Sequence, residues 1–310
     1  MPWSTPESVL EEGKTNMKKQ KQTTTGRKQI SKQRDIINRL FRSANAVIGL
    51  IIILILVLTA IFADVLVDYE TMVIKPNVLE RLQKPSSEHL LGTDELGRDV
   101  LARLIYGTRM SLLIGLGATI FSVGTGIILG AVAGYYGGWV DNIIMRICDV
   151  FIGIPGFLMA ITIAAAFGQS IVTLMIALAI GSFGSQTRIM RGSVLTILGQ
   201  EYVEAGKALG ANAFQIIFYH IIPNCIATII VQFSLRLAGG VLSASSLSFL
   251  GLGILPPDPE WGAMLSGGRT YLLDSSYLTF FPGLCIMITI LAFNMLGDGL
   301  RDSLDPRLKR

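Results

Sequence analysis

The sequence predicts an all-α polytopic membrane protein with six transmembrane helices. Hydrophobic residues make up 51% of the 310 residues, whereas charged residues make up only 15%. That share of charge lies well below the roughly 25% of a typical soluble domain. Long apolar runs recur along the chain, and they approach the about 20 residues that a helix needs to cross the hydrocarbon core. Lys and Arg are also unevenly distributed between the loops, as expected when alternate loops lie on opposite sides of a membrane.

The chain divides into a basic N-terminal tail (1–43), a transmembrane region (44–297) and a C-terminal tail (298–310). The stretch from Met1 to Arg42 contains ten Lys or Arg residues and four acidic residues. A basic segment next to an apolar run is typical of an orientation signal that contacts anionic lipid. Because this excess of positive charge is local, it does not indicate nucleic-acid binding. The predicted spans are 44–66, 106–134, 143–167, 171–190, 222–250 and 280–297.

The charge distribution orients these spans. The basic tail is expected in the cytoplasm, which places the segment 67–105 outside. From Asp64 to Arg109 the chain has eight acidic and six basic residues, in agreement with an outer location. The loop 191–221 and the tail 298–310 then lie inside, so we expect a multi-pass protein of the cell membrane with both termini in the cytoplasm.

A glycine stripe occurs in the second predicted span. Gly126, Gly130 and Gly134 recur every four residues and therefore share one face of a helix. In lipid, small residues on one face let another helix approach closely. Packing within the bundle is the simpler interpretation, and a sliding face used in transport is the alternative.

The outer segment contains the stretch LLGTDELGRDVLARLIYGTRMSL from Leu90 to Leu112. Thr93 or Asp94 could cap a short amphipathic helix. Asp94 with Arg98, and Asp99 with Arg103, are four residues apart and could pair along its polar side. We expect a helix on the outer surface, either as a solvated cap or as a docking surface or gate for an outside partner.

A second outer segment, LGLGILPPDPEWGAML from Leu250 to Leu265, is rich in proline. Prolines restrict the backbone, and Trp261 is of the type enriched at lipid interfaces. A structural turn is the default interpretation. The alternative is a lip over a translocation pathway.

The loop between the fourth and fifth predicted spans is polar and is predicted to contain two short helices, unlike the apolar spans on either side. EYVEAGKALG contains Glu201 and Glu204 near a predicted helix start and Lys207 near its end, where each charge is favoured. Gly210 is placed to end this helix in a left-handed cap. A second short helix follows, with Phe214, Ile217 and Phe218 expected on one face. Pro223 is expected to break the chain where it re-enters the membrane. Docking to a groove on another protein and a stable loop remain open as alternatives.

This loop resembles the signature loop of permease subunits in bacterial ABC importers. The family pattern is E-A-A-x-x-x-G followed, after nine residues, by I-x-L-P. Glu204, Ala205, Gly210 and Pro223 match it, whereas Gly206 replaces the second Ala. The stretches GYYGGWVDNIIMRICDVFIGIPGFLMAI, LSFLGLGILPPDPEWGAML and GDGLRDSLDPRLKR, together with the outer stretch from Leu90, resemble the dipeptide, oligopeptide and nickel branch of that family. The resemblance covers nearly everything after the basic tail and is to the second permease type of that branch.

The resemblance implies a type I importer permease fold like that of the methionine importer, in a bacterial inner or plasma membrane. It also implies four kinds of partner: a second homologous permease, two cytoplasmic ABC ATPases, an extracellular or periplasmic substrate-binding protein and the lipid bilayer. This chain would bind no cofactor, because ATP and Mg would bind to the partner ATPase. The loop would be the coupling helix that fits a cleft of the ATPase, through Glu201, Glu204, Ala205, Gly206, Gly210 and Pro223.

Arg236 is the one ionisable residue placed deep in a predicted span, because Arg146, Asp149 and Asp298 fall near predicted ends. It either pairs inside the bundle or lines the pathway. We predict no catalytic residue, since the phosphate-cradle motif G-x-x-x-x-G-K-[ST] and common hydrolase motifs are absent from the sequence. We also predict no metal site, since two His and three Cys are widely separated. The resemblance implies a dipeptide or oligopeptide as the substrate. The alternative substrate is nickel or another metal complex. The alternative function is that of an ion-coupled secondary transporter.

Overall fold

The computed structural model describes residues 37–254 and 256–304. The basic tail up to residue 36 and the end of the C-terminal tail from residue 305 lie outside the described residues. The helices labelled here are α1 (Ala44–Ile61), α2 (Val100–Tyr136), α3 (Gly138–Gly153), α4 (Gly156–Phe167), α5 (Ile171–Ile180), α6 (Phe183–Leu198), α7 (Glu201–Ala208), α8 (Ile226–Phe249), α9 (Trp261–Gly268) and α10 (Tyr277–Leu304). Shorter helical segments are Ala63–Leu66, Tyr69–Ile74, Val78–Glu80, Ala213–Gln215, Ile216–Ile221, Ile222–Asn224 and Arg269–Tyr271.

Six membrane crossings are consistent with these helices. The helices α1, α2, α8 and α10 are each long and apolar enough to cross a membrane. The pairs α3–α4 and α5–α6 satisfy the same test only together, because each is bent at a short break. Counting each bent pair as one span gives six, within the described residues.

The two spans expected over 143–167 and 171–190 are each bent. The axis turns by 85° between α3 and α4 and by 50° between α5 and α6. Pro155 cannot continue α3, because it lacks the backbone N–H that a helix interior requires. The two bends also touch, since a Cβ added to Gly156 would lie only 2.5 Å from the carbonyl oxygen of Gly181.

The helix α2 is the longest element and spans the whole bundle. It contains 37 residues. At the rise of an α-helix this length corresponds to roughly 55 Å. At its N-terminal end lies the cap, which comprises residues 67–99, 251–254 and 256–276. At its C-terminal end lies the hairpin, which comprises residues 201–224. Contacts of Tyr106 with the cap and of Tyr135 with the hairpin place these two regions at opposite ends of the molecule.

The crossings alternate in direction between these two ends. Tyr277 at the start of α10 donates hydrogen bonds to cap carbonyls, and Gln169 after α4 donates one to Gly251 of the cap. At the other end, Ala46 near the start of α1 packs against Gly299 near the end of α10. The first and last described spans therefore begin and end at the hairpin end.

The glycine stripe of α2 packs against α6. A Cβ added to Gly126 would lie 2.5 Å from the Cβ of Gln186, and one added to Gly130 would lie 2.6 Å from the carbonyl oxygen of Thr187. A Cβ on Gly134 would likewise meet Val194 at 2.7 Å. The stripe thus brings two helices together inside this chain, which is the simpler of the two interpretations made from the sequence.

Candidate functional site

The hairpin begins with α7, whose charges suit their places in the helix. Glu201 and Glu204 lie in the first turn and Lys207 in the last. The Lys207 ammonium also lies 5.6 Å from the ring centroid of Tyr135 on α2. This distance is close enough for a cation–π contact. Gly210 has a φ of +83°. This is the left-handed conformation that the sequence predicts for the end of the helix.

One side of the hairpin is attached to the bundle by apolar packing. Val203, Ile216 and Ile221 are fully buried, and they join an apolar cluster that includes Met190 and Val194 of α6. Burial of a Val or Ile side chain contributes about 1.5–3 kcal/mol relative to leaving it exposed. The position of the hairpin is therefore fixed by its own chain.

The opposite side of the hairpin is exposed. Glu204 and Ala205 are exposed, and no cation lies within ion-pairing distance of Glu204 among the described residues. Leu209 is 88% exposed, and the rings of Phe214 and Phe218 stack on each other at 4.4 Å while both remain exposed. These groups form a surface of mixed polar and apolar character.

Two details of the second half of the hairpin correct the sequence predictions. Phe214, Ile217 and Phe218 do not share one face, because Ile217 is buried and the two phenylalanines are exposed. The helix is less regular than assumed, since Ile216–Ile221 adopts a wider π-helical turn, which rotates later side chains. Pro223 does not break the chain either, because it lies in the first turn of a short helix, where its missing N–H is tolerated.

Gly206 occupies a position with room for a larger residue. A Cβ added there would meet only the His220 ring, at 3.8 Å. The hairpin therefore does not require glycine at this position. The substitution of Gly for Ala in the signature pattern weakens the helix, but it does not relieve a steric conflict.

The cap contains a buried network of charges around Asp94. One carboxylate oxygen of Asp94 accepts hydrogen bonds from the backbone N–H groups of Leu96 and Arg98, both at 2.9 Å. The other accepts from Nε of Arg98 at 2.7 Å and lies 3.4 Å from Nε of Arg103. Arg103 also donates to the carbonyl oxygens of Val73 and Pro257. These bonds connect Val73 and Pro257 of the cap to the start of α2.

The short amphipathic helix predicted in this segment is absent. Residues 93–99 instead form a turn closed by an antiparallel bridge between Thr93 and Asp99, and α2 begins only at Val100. Gly97 has a φ of +77°. This conformation is incompatible with a right-handed helix. The helix cap is Asp99, which accepts a hydrogen bond from the Ala102 N–H, rather than Thr93 or Asp94.

Asp99 pairs with His89 and not, as predicted, with Arg103. Nδ1 of His89 lies 2.9 Å from Oδ2 of Asp99, and Nε2 lies 3.3 Å from a carboxylate oxygen of Glu80 without a hydrogen bond. The hydrogen bond to Asp99 raises the pKa of His89, against a smaller opposing effect of burial, and the charges of Glu80 and Glu88 add to the rise. A hydrogen bond and negative charges nearby both favour the protonated imidazole.

Trp261 is fully buried, so its predicted place at the lipid interface is wrong. Its indole N–H donates to the carbonyl oxygen of Leu104 at 3.1 Å. Gly107 makes room for the ring, since a Cβ there would lie 3.0 Å from it. The adjacent Glu260, which the sequence analysis missed, is also fully buried and caps α9 through the Ala263 N–H. Glu260 and Trp261 thus fill the space between α2 and α8.

Arg236 lies near the middle of the 24-residue helix α8. It is half-buried, and its Nη2 donates to the hydroxyl of Ser185 at 2.9 Å. With the Gln186 amide oriented so that its oxygen faces the guanidinium, that oxygen accepts from Nε at 2.5 Å and from Nη2 at 3.1 Å. These contacts join α8 to α6.

No group of three or more His, Cys, Asp or Glu side chains is arranged to hold a metal ion in the parts of the chain that the structure describes. The residues predicted as functional do not meet in one place. The hairpin residues and the group Asp94, Arg98, Asp99 and Trp261 lie at opposite ends of α2, and Arg236 lies between these ends.

Sequence comparisons give the chain a family. Residues 126–310 match the family described as binding-protein-dependent transport system inner membrane component. Residues 31–85 match the N-terminal transmembrane domain of oligopeptide transport permease C.

Two similar curated proteins cover nearly the whole chain. The glutathione transport system permease protein GsiD of Pectobacterium atrosepticum is 43% identical over 89% of this chain and 91% of its own length. The dipeptide transport system permease protein DppC of Alkalihalophilus pseudofirmus is 43% identical over 90% of this chain and 91% of its own length.

A solved structure shows the same fold. An inward-facing structure of the MetNI methionine ABC transporter aligns with a TM-score of 0.53, over 66% of this chain and 97% of that one, at 16% identity. This similarity confirms the predicted type I importer permease fold. The chain therefore belongs to the family of binding-protein-dependent transport system inner membrane components, and it is a multi-pass permease subunit.

Proposed function

We propose that this chain forms half of the translocation pathway of an ATP-driven importer of short peptides. Support comes from relatives of matching length that are named for dipeptide and glutathione transport, at 43% identity. A di/tripeptide transport permease of Pseudomonas aeruginosa is 41% identical over 84% of this chain. These names favour peptides over nickel complexes as the substrate.

The partners proposed from the sequence fit this function. A binding-protein-dependent system requires an external substrate-binding protein, and an ABC transporter requires ATPases. The second half of the pathway would come from a homologous permease. ATP hydrolysis would then occur on the partner ATPases, and this chain would be a non-catalytic subunit.

The hairpin is proposed to face the cytoplasm and the cap to face outward. This orientation agrees with the basic tail that precedes α1, since α1 starts at the hairpin end. It also places both ends of the described chain on the cytoplasmic side, because α10 finishes at that end too.

The observation that carries the proposal is the two-sided character of the hairpin. Val203, Ile216 and Ile221 attach it to the bundle, whereas Glu204, Ala205 and Leu209 are exposed. A coupling element needs both properties. It must move as one body with the membrane helices, and it must contact the ATPase. ATP can then shift the transporter between states by binding one of them more tightly.

Charge reversal at Glu204 tests this role. We expect Glu204→Lys to reduce co-purification of the ATPase from membranes at least about tenfold, as expected when a rigid interface loses a central contact. Peptide uptake by reconstituted importer should be lost in parallel. The amount of the chain in the membrane should not change, because Glu204 is exposed and has no ion-pair partner among the described residues.

Glu70→Lys is the matched control, since Glu70 is also exposed but lies in the cap. It should leave the ATPase bound. Normal ATPase binding and uptake by the Glu204→Lys variant would contradict the coupling role of the hairpin.

A further inference from the structure

Arg236 differs in its partners from the arginines on the neighbouring helices α2 and α6. On α6, Arg188 pairs with Asp149 and Arg191 pairs with Asp141. Near the cap, Arg109 pairs with Asp64. Arg236 has no carboxylate within ion-pairing distance among the described residues, and its bonds go only to Ser185 and Gln186. Its charge is solvated by neutral groups, and no acid within the described parts of the chain neutralises it.

The depth of Arg236 makes this arrangement costly. Its Cα lies ten residues after Ile226, the first residue of α8. That is roughly 15 Å along the helix, near the middle of a hydrocarbon core about 30 Å thick. Charged residues at such depth are rare and generally face a bundle interior or a water-filled pathway. A charge retained here, with no acidic partner in the part of the chain that the structure describes, therefore points to a role beyond the packing of this chain.

A small polar cavity adjoins the guanidinium. Its volume is about 50 Å³, and its lining includes the hydroxyl residues Thr119, Ser122, Ser182 and Ser243. A single water needs roughly 10–15 Å³ of such volume, so the cavity fits one charged end group and not a whole peptide. No acidic side chain lines it in the described part of the chain.

The cavity is open on one side. Gly239, one turn after Arg236 on the same helix, is exposed, and a Cβ added to it would meet nothing within 4 Å. Ser243 lies a further turn along and is half-buried. Arg236, Gly239 and Ser243 thus form one face of α8 that remains accessible beside the cavity.

We propose that Arg236 and this cavity form a carboxylate-binding position in the translocation pathway, which holds the C-terminal carboxylate of a peptide in transit. The inference rests on the proposed peptide-import function. Arg presents five N–H donors in a planar fork that matches a carboxylate, and it has no acceptor for an ammonium group. The free carboxylate is the anionic group that peptide substrates share, whatever their side chains. A bound carboxylate would neutralise the Arg236 charge, for which residues 37–254 and 256–304 supply no acidic partner.

The test uses the assembled importer in proteoliposomes and compares uptake of dialanine with uptake of its C-terminal amide. The binding protein and ATPases are the same in every sample, so their own preferences cancel when the carboxylate-to-amide uptake ratio of a variant is divided by that of the wild type. Arg236→Gln removes the charge but keeps a side chain that can hydrogen-bond to Ser185. We expect this variant to lower the ratio at least about tenfold, as for loss of a charge-assisted hydrogen bond.

A second variant tests the same position without removing Arg236. Gly239→Asp places a carboxylate one turn from Arg236, in open space. At that spacing the two side chains can pair. The variant should also lower the ratio about tenfold, because the added carboxylate competes with that of the substrate. The matched control is Gly239→Asn, which has a similar shape without the charge and should keep the ratio within about twofold of the wild type.

The outcomes distinguish failure of the carboxylate position from failure of the proposed peptide import. An unchanged ratio in Arg236→Gln or Gly239→Asp overturns the carboxylate position while peptide import stands. Equal loss of both substrates in an assembled Arg236→Gln importer also overturns it, since this would indicate an ion pair with another subunit. If one variant does not assemble, the uptake ratio of the other variant decides whether the carboxylate position stands. If the wild type imports neither peptide, both the proposed function and this inference fail.

Discussion

The cap and the hairpin lie at opposite ends of α2, and they differ in where their polar groups find partners. In the cap, Asp94 accepts three hydrogen bonds from its own segment, and Arg103 reaches carbonyl oxygens in two separate stretches of chain. In the hairpin, Glu204 is exposed without an ion-pair partner among the described residues. The buried charges around Asp94 in the cap are satisfied internally, whereas Glu204 of the hairpin remains accessible.

This difference separates structural residues from candidate contact residues. A buried and fully bonded polar group stabilises one geometry, and its loss is costly because its partners are left unsatisfied. An exposed group on a well-anchored support costs little and remains free to bind another protein. Substitutions in the cap should therefore change stability first, and substitutions on the exposed side of the hairpin should change coupling first.

The largest expected effect is at Trp261. Trp261→Ala should lower the free energy of unfolding by about 3–5 kcal/mol. The reason is that it empties a fully buried site and leaves the Leu104 carbonyl without its donor. Thermal unfolding of the purified chain, followed by circular dichroism, measures this change.

Trp139→Ala is the control for Trp261→Ala. It removes a tryptophan that is 74% exposed. Such a surface substitution should change the free energy of unfolding by about 0.5 kcal/mol or less. Equal effects of the two substitutions would contradict the conclusion that buried Trp261 stabilises the packing of the cap.

Gly210 is the corresponding position in the hairpin, with a smaller expected effect. Its φ is positive, so Gly210→Ala forces a residue with a Cβ into the left-handed region, at a cost of roughly 1–2 kcal/mol. Hydrogen exchange of the hairpin amides should accelerate about five- to thirtyfold, without a matching change in the cap. Gly210→Asn is the comparison, because Asn tolerates this conformation better. Equal acceleration in both variants would indicate that the backbone angle is not the cause.

Gly206 should respond in the opposite direction. Gly206→Ala places a methyl group where the nearest atoms are 3.8 Å away. It should therefore stabilise α7 by about 1 kcal/mol at most, through higher helix propensity. Slower hydrogen exchange across residues 201–208 would show this effect. Uptake should persist, because the hairpin keeps its exposed groups. Faster exchange in the alanine variant would mean that the space beside His220 is not available.

The smallest expected effect is a pH dependence carried by His89. The pKa of His89 is raised in the folded chain, so the folded cap binds the proton more tightly than the unfolded chain does. The stabilisation is therefore fully present below the ordinary pKa of 6.5, and it disappears as the pH rises through the higher pKa of the folded state. The melting temperature of the wild type should exceed that of His89→Gln by more at about pH 5.5 than at about pH 8.5. A constant difference would contradict the pairing with Asp99.

The overall architecture could be predicted because the bilayer imposes it. Apolar runs such as 44–66 must form helices, since no backbone group can bond to water inside the membrane. The left-handed end of α7 at Gly210 also follows from local rules, as does the close packing of the stripe at Gly126 and Gly130. These features depend on residues that are close in sequence or repeat along one helix.

The remaining features depend on contacts between distant residues. The burial of Trp261 requires the space above Gly107, and the partner of Asp99 is His89 rather than a residue one turn away. Pro155 was a local signal for the bend between α3 and α4. Because the residues on both sides of it are apolar, the stretch 143–167 resembled one continuous span. The contact between Arg236 and Ser185 joins residues that are 51 positions apart on two helices, and no periodic pattern in the sequence indicates it.

The most direct test of the division between cap and hairpin is hydrogen exchange of the full chain with and without its ATPase partner. Binding should protect amides of the exposed hairpin side, around residues 201–218, and leave the cap unchanged. This result would place the ATPase contact on the hairpin. Protection of the cap, or an unchanged hairpin in a complex that has demonstrably formed, would contradict the account.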